Sequence, residues 1–173
     1  NEEYVKVLLH GFKFIVAKAL ADNVLGDSYE VLETYTGRDL EYKEYEQLIP
    51  ELSVSKKAFY ITVADYVTMT DGTGIVHIAP AFGVDDSEVA KKYDLPVLNP
   101  VGGDGKYKEG PWKGRIVYEP DLEIDIIKYL KANDKLFKKE KIKHNYPHCW
   151  RCKTPLLYYA KPAWYIKTTA YKD

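Results

Sequence analysis

Between Asp71 and Asp86 the chain reads Asp-Gly-Thr-Gly-Ile-Val-His-Ile-Ala-Pro-Ala-Phe-Gly-Val-Asp-Asp, and no other stretch restricts its folding as strongly. Gly72, Gly74 and Gly83 allow positive φ or a close backbone approach that a side chain forbids. The apolar run Gly74–Ile78 between them predicts a strand. The acidic pair Asp85-Asp86 predicts the opening of a helix over Asp85–Tyr93. His77 and Asp86 then stand at opposite ends of a strand–loop–helix elbow, a geometry that can build a small polar site.

Composition limits what surrounds this elbow. The chain has 173 residues, 46% hydrophobic and 29% charged, with a net charge of −1. That length suits one well-buried domain with an appendage, and the balance is that of a folded globular chain. Near-neutral charge with interspersed signs supplies no footprint for strong non-specific nucleic-acid binding. No apolar run approaches the length of a membrane span and no leader is read before the first strand, so no membrane partner is expected. Two cysteines in a C-x-x-C spacing suggest metal or redox chemistry in a reducing compartment rather than a disulfide framework, and the setting expected is cytoplasmic.

The pattern predicts an α+β fold: a curled, barrel-like mixed sheet flanked by short helices, with a C-terminal ribbon. Tyr4–His10 and Lys13–Val16 flank Gly11 as a hairpin. Ala17–Leu25 reads as a helix stopped by Gly26, and Tyr29–Tyr35 as a strand. Asp39–Leu48 reads as strand or extended loop. Phe59–Ala64 and Tyr66–Met69, rich in β-branched and aromatic residues, are the strongest strand predictions. Leu122–Asn133 is an amphipathic helix with Leu122, Ile126, Ile127 and Leu130 on one face. Residues 1–140 are expected to form the body. Residues 141–173, which follow the start of the charge run Lys138–Lys143, form a ribbon.

Each motif carries a plain structural reading beside a functional one. Asp85, with Glu88 three residues on, reads as a helix cap. Asp86 then falls at the first helical position, where the helix dipole favours the ionised carboxylate and suits it to holding a cationic amine. His77 is either a hydrogen-bonded strand histidine or a pocket residue facing away from Val76 and Ile78. No G-x-S-x-G elbow occurs and neither cysteine is near His77 in sequence, so water attack aided by positioning fits better than covalent catalysis. Gly102-Gly-Asp-Gly105 lacks a phosphate-loop ending and reads as a turn. Cys149 and Cys152 are half of a tetrahedral zinc site, with His144 and His148 the nearby candidates to extend it.

Taken together, Gly72–Asp86 with Lys91–Val101, and His144-Asn-Tyr-Pro-His-Cys-Trp-Arg-Cys-Lys-Thr-Pro155 with Pro162-Ala-Trp-Tyr-Ile166, closely resemble the editing domain of isoleucyl-tRNA synthetases. The resemblance spans essentially the whole chain. The sister valyl and leucyl enzymes share the G-T-G-x-V opening but usually lack the continuation from His77 to Gly83, which favours the isoleucine family and leaves the valyl editing domain as the alternative. The resemblance implies hydrolysis of valine mistakenly esterified to the isoleucine tRNA. It implies Asp86 as holder of the substrate ammonium, and His77 as the residue that lines the pocket and positions the ester or the attacking water. Gly74, Ala79, Pro80, Phe82 and Gly83 are implied as substrate-binding. The implied partners are the 3′ end of that tRNA, the mischarged valine and the catalytic domain of a longer chain. No signature for ATP use occurs, so ATP-Mg and aminoacylation are expected only of a full-length enzyme.

The family's upstream threonine-rich segment, of the Trp-Thr-Thr-Thr-Pro-Trp type, is not found before Asn1, so weak or no deacylation is expected of this piece alone. Cys149 and Cys152 resemble half of a family zinc site whose other half lies upstream. No cofactor and no stoichiometric zinc are therefore expected here. A catalytically silent tRNA-docking module remains the alternative from a different class, and a free-standing hydrolase a third.

Overall fold

The computed structural model describes residues 2–141 and 145–171. Its regular part is an α+β arrangement around one three-stranded antiparallel sheet, in the order β2-β1-β3. Strands β1 (Glu3–Leu9) and β2 (Phe12–Ala17) form the expected hairpin, with Leu9 paired to Phe12. Only His10 and Gly11 lie between them, both at positive φ (49° and 84°), which matches the twist of a two-residue hairpin turn. Strand β3 (Glu30–Thr36) pairs with the other edge of β1 and carries a bulge opposite Lys6/Val7. Among the described residues the sheet is open and wholly antiparallel; the barrel-like mixed sheet expected from the sequence is not what forms.

Alternation along β1 divides the core between the two faces. Val5 and Val7 pack with Val16 and Ala21. Tyr4 packs with Ala17, Leu20 and Leu40 on the other face. Helix α1 (Ala21–Leu25) ends at Gly26 as expected. It starts later than the pattern suggests, because Ala17 still belongs to β2, paired with Tyr4, and a short 3-10 turn intervenes at Lys18–Leu20. Helix α2 (Gly37–Leu40) occupies the start of the segment read as strand or loop. Its cause is local: Thr36 and Asp39 cap each other's backbone in a capping box, a signal present in the sequence but not read there.

Three further strand predictions are corrected. Phe59–Ala64 makes one isolated bridge, Tyr60 with Glu44, and neither Tyr66–Met69 nor Gly74–Ile78 forms a strand. Among the described residues no strand pairs with them along their length. Residues 59–61 instead exchange bonds with 42–45: Tyr42 N–H donates to the Ile61 carbonyl (2.8 Å), Ile61 N–H to Lys43 (2.9 Å) and Tyr45 N–H to Phe59 (2.9 Å).

Helix α3 (Val84–Lys92) and helix α4 (Leu122–Ala132) lie where the sequence places helices. Leu122 is buried, with Ile126, Ile127 and Leu130 half-buried on the same face. Gly102–Gly105 is a turn, closed by Gly105 N–H to the Gly102 carbonyl at 3.0 Å. Among the described residues no helix is long and apolar enough to cross a membrane.

Candidate functional site

The glycine elbow is fastened to the sheet by its first turn. Tyr4 donates its hydroxyl to the Gly74 carbonyl at 2.8 Å, and Ala17 N–H donates to the Thr73 carbonyl at 2.9 Å. Gly74 sits at φ 72°, and a Cβ there would lie 2.4 Å from the Ala17 Cβ. Positive φ and close approach therefore coincide at this residue, and only glycine meets both. Gly74 is buried against the sheet, so it serves as an anchor and does not line the same polar group as Asp86.

The second turn builds that group. The Ala79 carbonyl accepts from Phe82 N–H (2.9 Å) and Gly83 N–H (3.0 Å), closing a tight loop across Pro80 and Ala81. The Ala79 N–H donates to Asp86 Oδ2 at 3.0 Å. Tyr66, at a sequence separation of 20, donates its hydroxyl to Asp86 Oδ1 at 2.9 Å. Gly83 is the N-cap of α3, and a Cβ on it would stand 2.5 Å from Asp86 Oδ2. The structure thus brings together Ala79, Gly83 and Asp86, with Phe82 in the same turn.

Two predictions about the acidic pair need correction. No side chain caps α3, so Asp85 is not its cap; it is simply in the first turn, with Asp86 following it. The loop folds back through Ala79 and leaves Gly83 at the capping position, which shifts both aspartates two places into the helix, Asp86 to the third helical position. His77 is exposed, on irregular backbone, and forms no hydrogen bond with another described residue. Its neighbour Val76 is exposed as well, so the strand alternation used to aim His77 does not hold.

Tyr66 is the residue that sequence reasoning missed. Burial first, and then its hydrogen bond to Asp86, push its phenol up to about 12. It therefore remains an O–H donor at any physiological pH. Nothing in the local pattern pairs a tyrosine with an aspartate so far along the chain.

Segment 60–66 runs along α3 by such phenol bonds. Tyr60 donates to the Tyr93 carbonyl (2.7 Å), the Tyr93 hydroxyl accepts from Val63 N–H (3.0 Å), and Tyr66 reaches Asp86. Tyr93 also donates to Glu41, and burial followed by that contact raises its phenol. A cavity of about 270 Å³ lies at this far end of α3, among Tyr42, Tyr60 and Tyr93, and does not include Asp86 or His77.

The cysteines lie on a separate hairpin. His148 bridges Pro155, Cys149 N–H donates to the Thr154 carbonyl (2.9 Å), and Lys153 N–H returns to Cys149 (2.9 Å) with Lys153 at φ 62°. Cys152 Sγ is 3.0 Å from Thr154 Oγ1. Hydrogen bonds from Thr154, with a further one from Cys149, bring the Cys152 thiol down to about 7. His148 Nδ1 is 2.7 Å from the Tyr146 carbonyl, and His144 lies outside the described residues. Among the described residues no set of three or more His, Cys, Asp or Glu side chains is placed to hold a metal ion. Two thiols supply half of a tetrahedral site. The ribbon then meets the elbow: Ala160 N–H donates to the Ala81 carbonyl at 2.6 Å.

No protein-family model matches the chain. Its sequence is 50% identical over 173 residues to the isoleucine–tRNA ligase of Clostridium novyi (strain NT), covering 99% of this chain. This chain belongs to the isoleucyl-tRNA synthetase family. The isoleucine–tRNA ligase of Picrophilus torridus is 45% identical over 168 residues and that of Bacillus thuringiensis (strain Al Hakam) 45% over 175. The chain spans 16% of the length of the Clostridium novyi relative and 17% of that from Bacillus thuringiensis.

Proposed function

We propose that this segment carries the editing step of an isoleucyl-tRNA synthetase, the hydrolysis of valine wrongly esterified to the isoleucine tRNA. A pocket that accepts isoleucine cannot strongly reject the smaller valine, the usual illustration of why a second, hydrolytic site is needed. The observation that carries this reading is the Asp86 carboxylate. It stands in the first turn of α3, gripped by the Ala79 N–H and the Tyr66 O–H. A carboxylate offers about four lone-pair sites. Two donors leave room for a substrate α-ammonium, and the helix dipole favours the anion that receives it.

In this reading the Ala79–Gly83 turn, with Pro80 and Phe82, walls the amino-acid side chain. His77, exposed at the other end of the elbow, positions the ester or the attacking water. The tRNA 3′ end is the macromolecular partner, the catalytic domain belongs to the same full-length chain, and the setting is cytoplasmic. Zinc at Cys149 and Cys152 and ATP-Mg belong to that full-length enzyme, and no step here runs through either.

The test uses the full-length synthetase. Asp86→Ala is expected to slow deacylation of valyl-tRNA about 100-fold, the scale of one charge-assisted contact, while isoleucine attachment is unchanged. Deacylation equal to wild type would overturn the reading and favour a docking module without chemistry.

A further inference from the structure

Asp86 does not act on its helix as an acidic residue in a first turn commonly does. Such a side chain reaches back to the N-cap backbone N–H and is used up in capping. Here the Gly83 N–H is already given to the Ala79 carbonyl at 3.0 Å, and α3 has no side-chain cap. The carboxylate is instead held from outside the helix, one oxygen by Ala79 N–H at 3.0 Å and the other by the Tyr66 hydroxyl at 2.9 Å. Ala79 is part of the elbow itself. Tyr66 comes from a separate segment and is 36% exposed, so its ring is not a core element. Among the described residues its hydroxyl bonds Asp86 alone.

From this geometry we infer that Tyr66 is a positioning residue for ammonium recognition: its O–H fixes the Asp86 carboxylate so that the free lone pairs face an incoming α-amino ester. The inference rests on the editing reading and deepens it by naming a specificity determinant. With the carboxylate clamped on both oxygens, little side-chain freedom remains to be lost when substrate binds, which is the general advantage of a preorganised receptor. Tyr66 does not touch the ester. It acts only through Asp86, and only on substrates that present an ammonium.

That restriction supplies the test. In the full-length synthetase, Tyr66→Phe keeps the ring and removes the donor. Deacylation of valyl-tRNA should lose about tenfold in kcat/KM, carried by KM with kcat nearly unchanged. The same variant acting on tRNA esterified with 3-methylbutanoate, which is valine without its amino group, should change less than about twofold. Equal loss on both esters would reveal a merely structural role and overturn the inference, as would no loss on the valyl ester. Asp86→Ala separates the two levels. If it disables valyl-tRNA deacylation while Tyr66→Phe does nothing, the positioning role fails and editing stands. If Asp86→Ala has no effect, the editing reading fails and takes this inference with it.

Discussion

The sheet of residues 3–36 and the segment of residues 59–83 are made of similar residues and are held together in opposite ways. Both are rich in valine and in tyrosine and phenylalanine, residues that favour strands. In the sheet, backbone bonds between β1, β2 and β3 carry the structure, and two buried clusters seal its faces. In the second segment one bridge and a few backbone bonds to residues 42–45 form, phenols fasten the segment to α3, and the Tyr4 hydroxyl with the Ala17 N–H holds its glycine turn. Strand-forming composition describes residues that fit a pleated, half-buried surface. Whether a ladder forms depends on a partner backbone. The sheet-like half is held by its own regularity, and the site-bearing half by a few specific contacts.

Substitutions can break or sharpen that contrast. The largest effect is expected in the sheet core: Leu20→Ala, at a side chain 2% exposed, should lower unfolding stability by about 3–4 kcal/mol in chemical denaturation. Gly74→Ala strikes the joint between the halves. Strained φ and a Cβ pressed onto Ala17 should cost about 2–3 kcal/mol, with the residue 71–75 turn losing amide-exchange protection before β1 does. Tyr93→Phe isolates the side-chain-held half. Losing the acceptor for Val63 N–H should cost about 1–2 kcal/mol and speed exchange at Val63 while β1 amides are unaffected. Equal acceleration in β1 would show the two halves to be one cooperative unit.

Thr36→Ala removes the α2 capping box at the end of β3 and should cost about 1 kcal/mol by the same denaturation measurement. The smallest effect is electrostatic. Hydrogen bonds from Thr36 hold the Asp39 carboxyl below its ordinary 3.8, and Lys6 with Tyr35 holds Glu33 below 4.5. A carboxyl depressed on folding stabilises the native state above its unfolded value and loses that contribution as pH falls through the folded one. Denaturation midpoints should therefore drop between about pH 5 and pH 3, and Asp39→Asn should flatten that drop.

The same contrast explains how much could be read in advance. The hairpin, β3, α3 and α4 follow from local pattern: a glycine turn, alternation, an acidic first turn, an apolar stripe. The family likewise follows from motif residues that stand together in the chain. The strands expected at 59–69 and 74–78 failed because composition says nothing about a pairing partner. The capping role given to Asp85 failed because the loop through Ala79 sets the helix start. Asp86 was legible as a special position. Tyr66 was not, since its meaning exists only once segment 60–66 is laid along α3.

The backbone hydrogen bond from the Ala160 N–H to the Ala81 carbonyl ties the ribbon that follows the cysteine hairpin to the Asp86 loop. Ala81 sits inside the turn whose first residue donates to Asp86, so the ribbon and the carboxylate are anchored to the same short stretch of backbone. The hairpin's ribbon thus reaches within one turn of a carboxylate that the cysteines never touch.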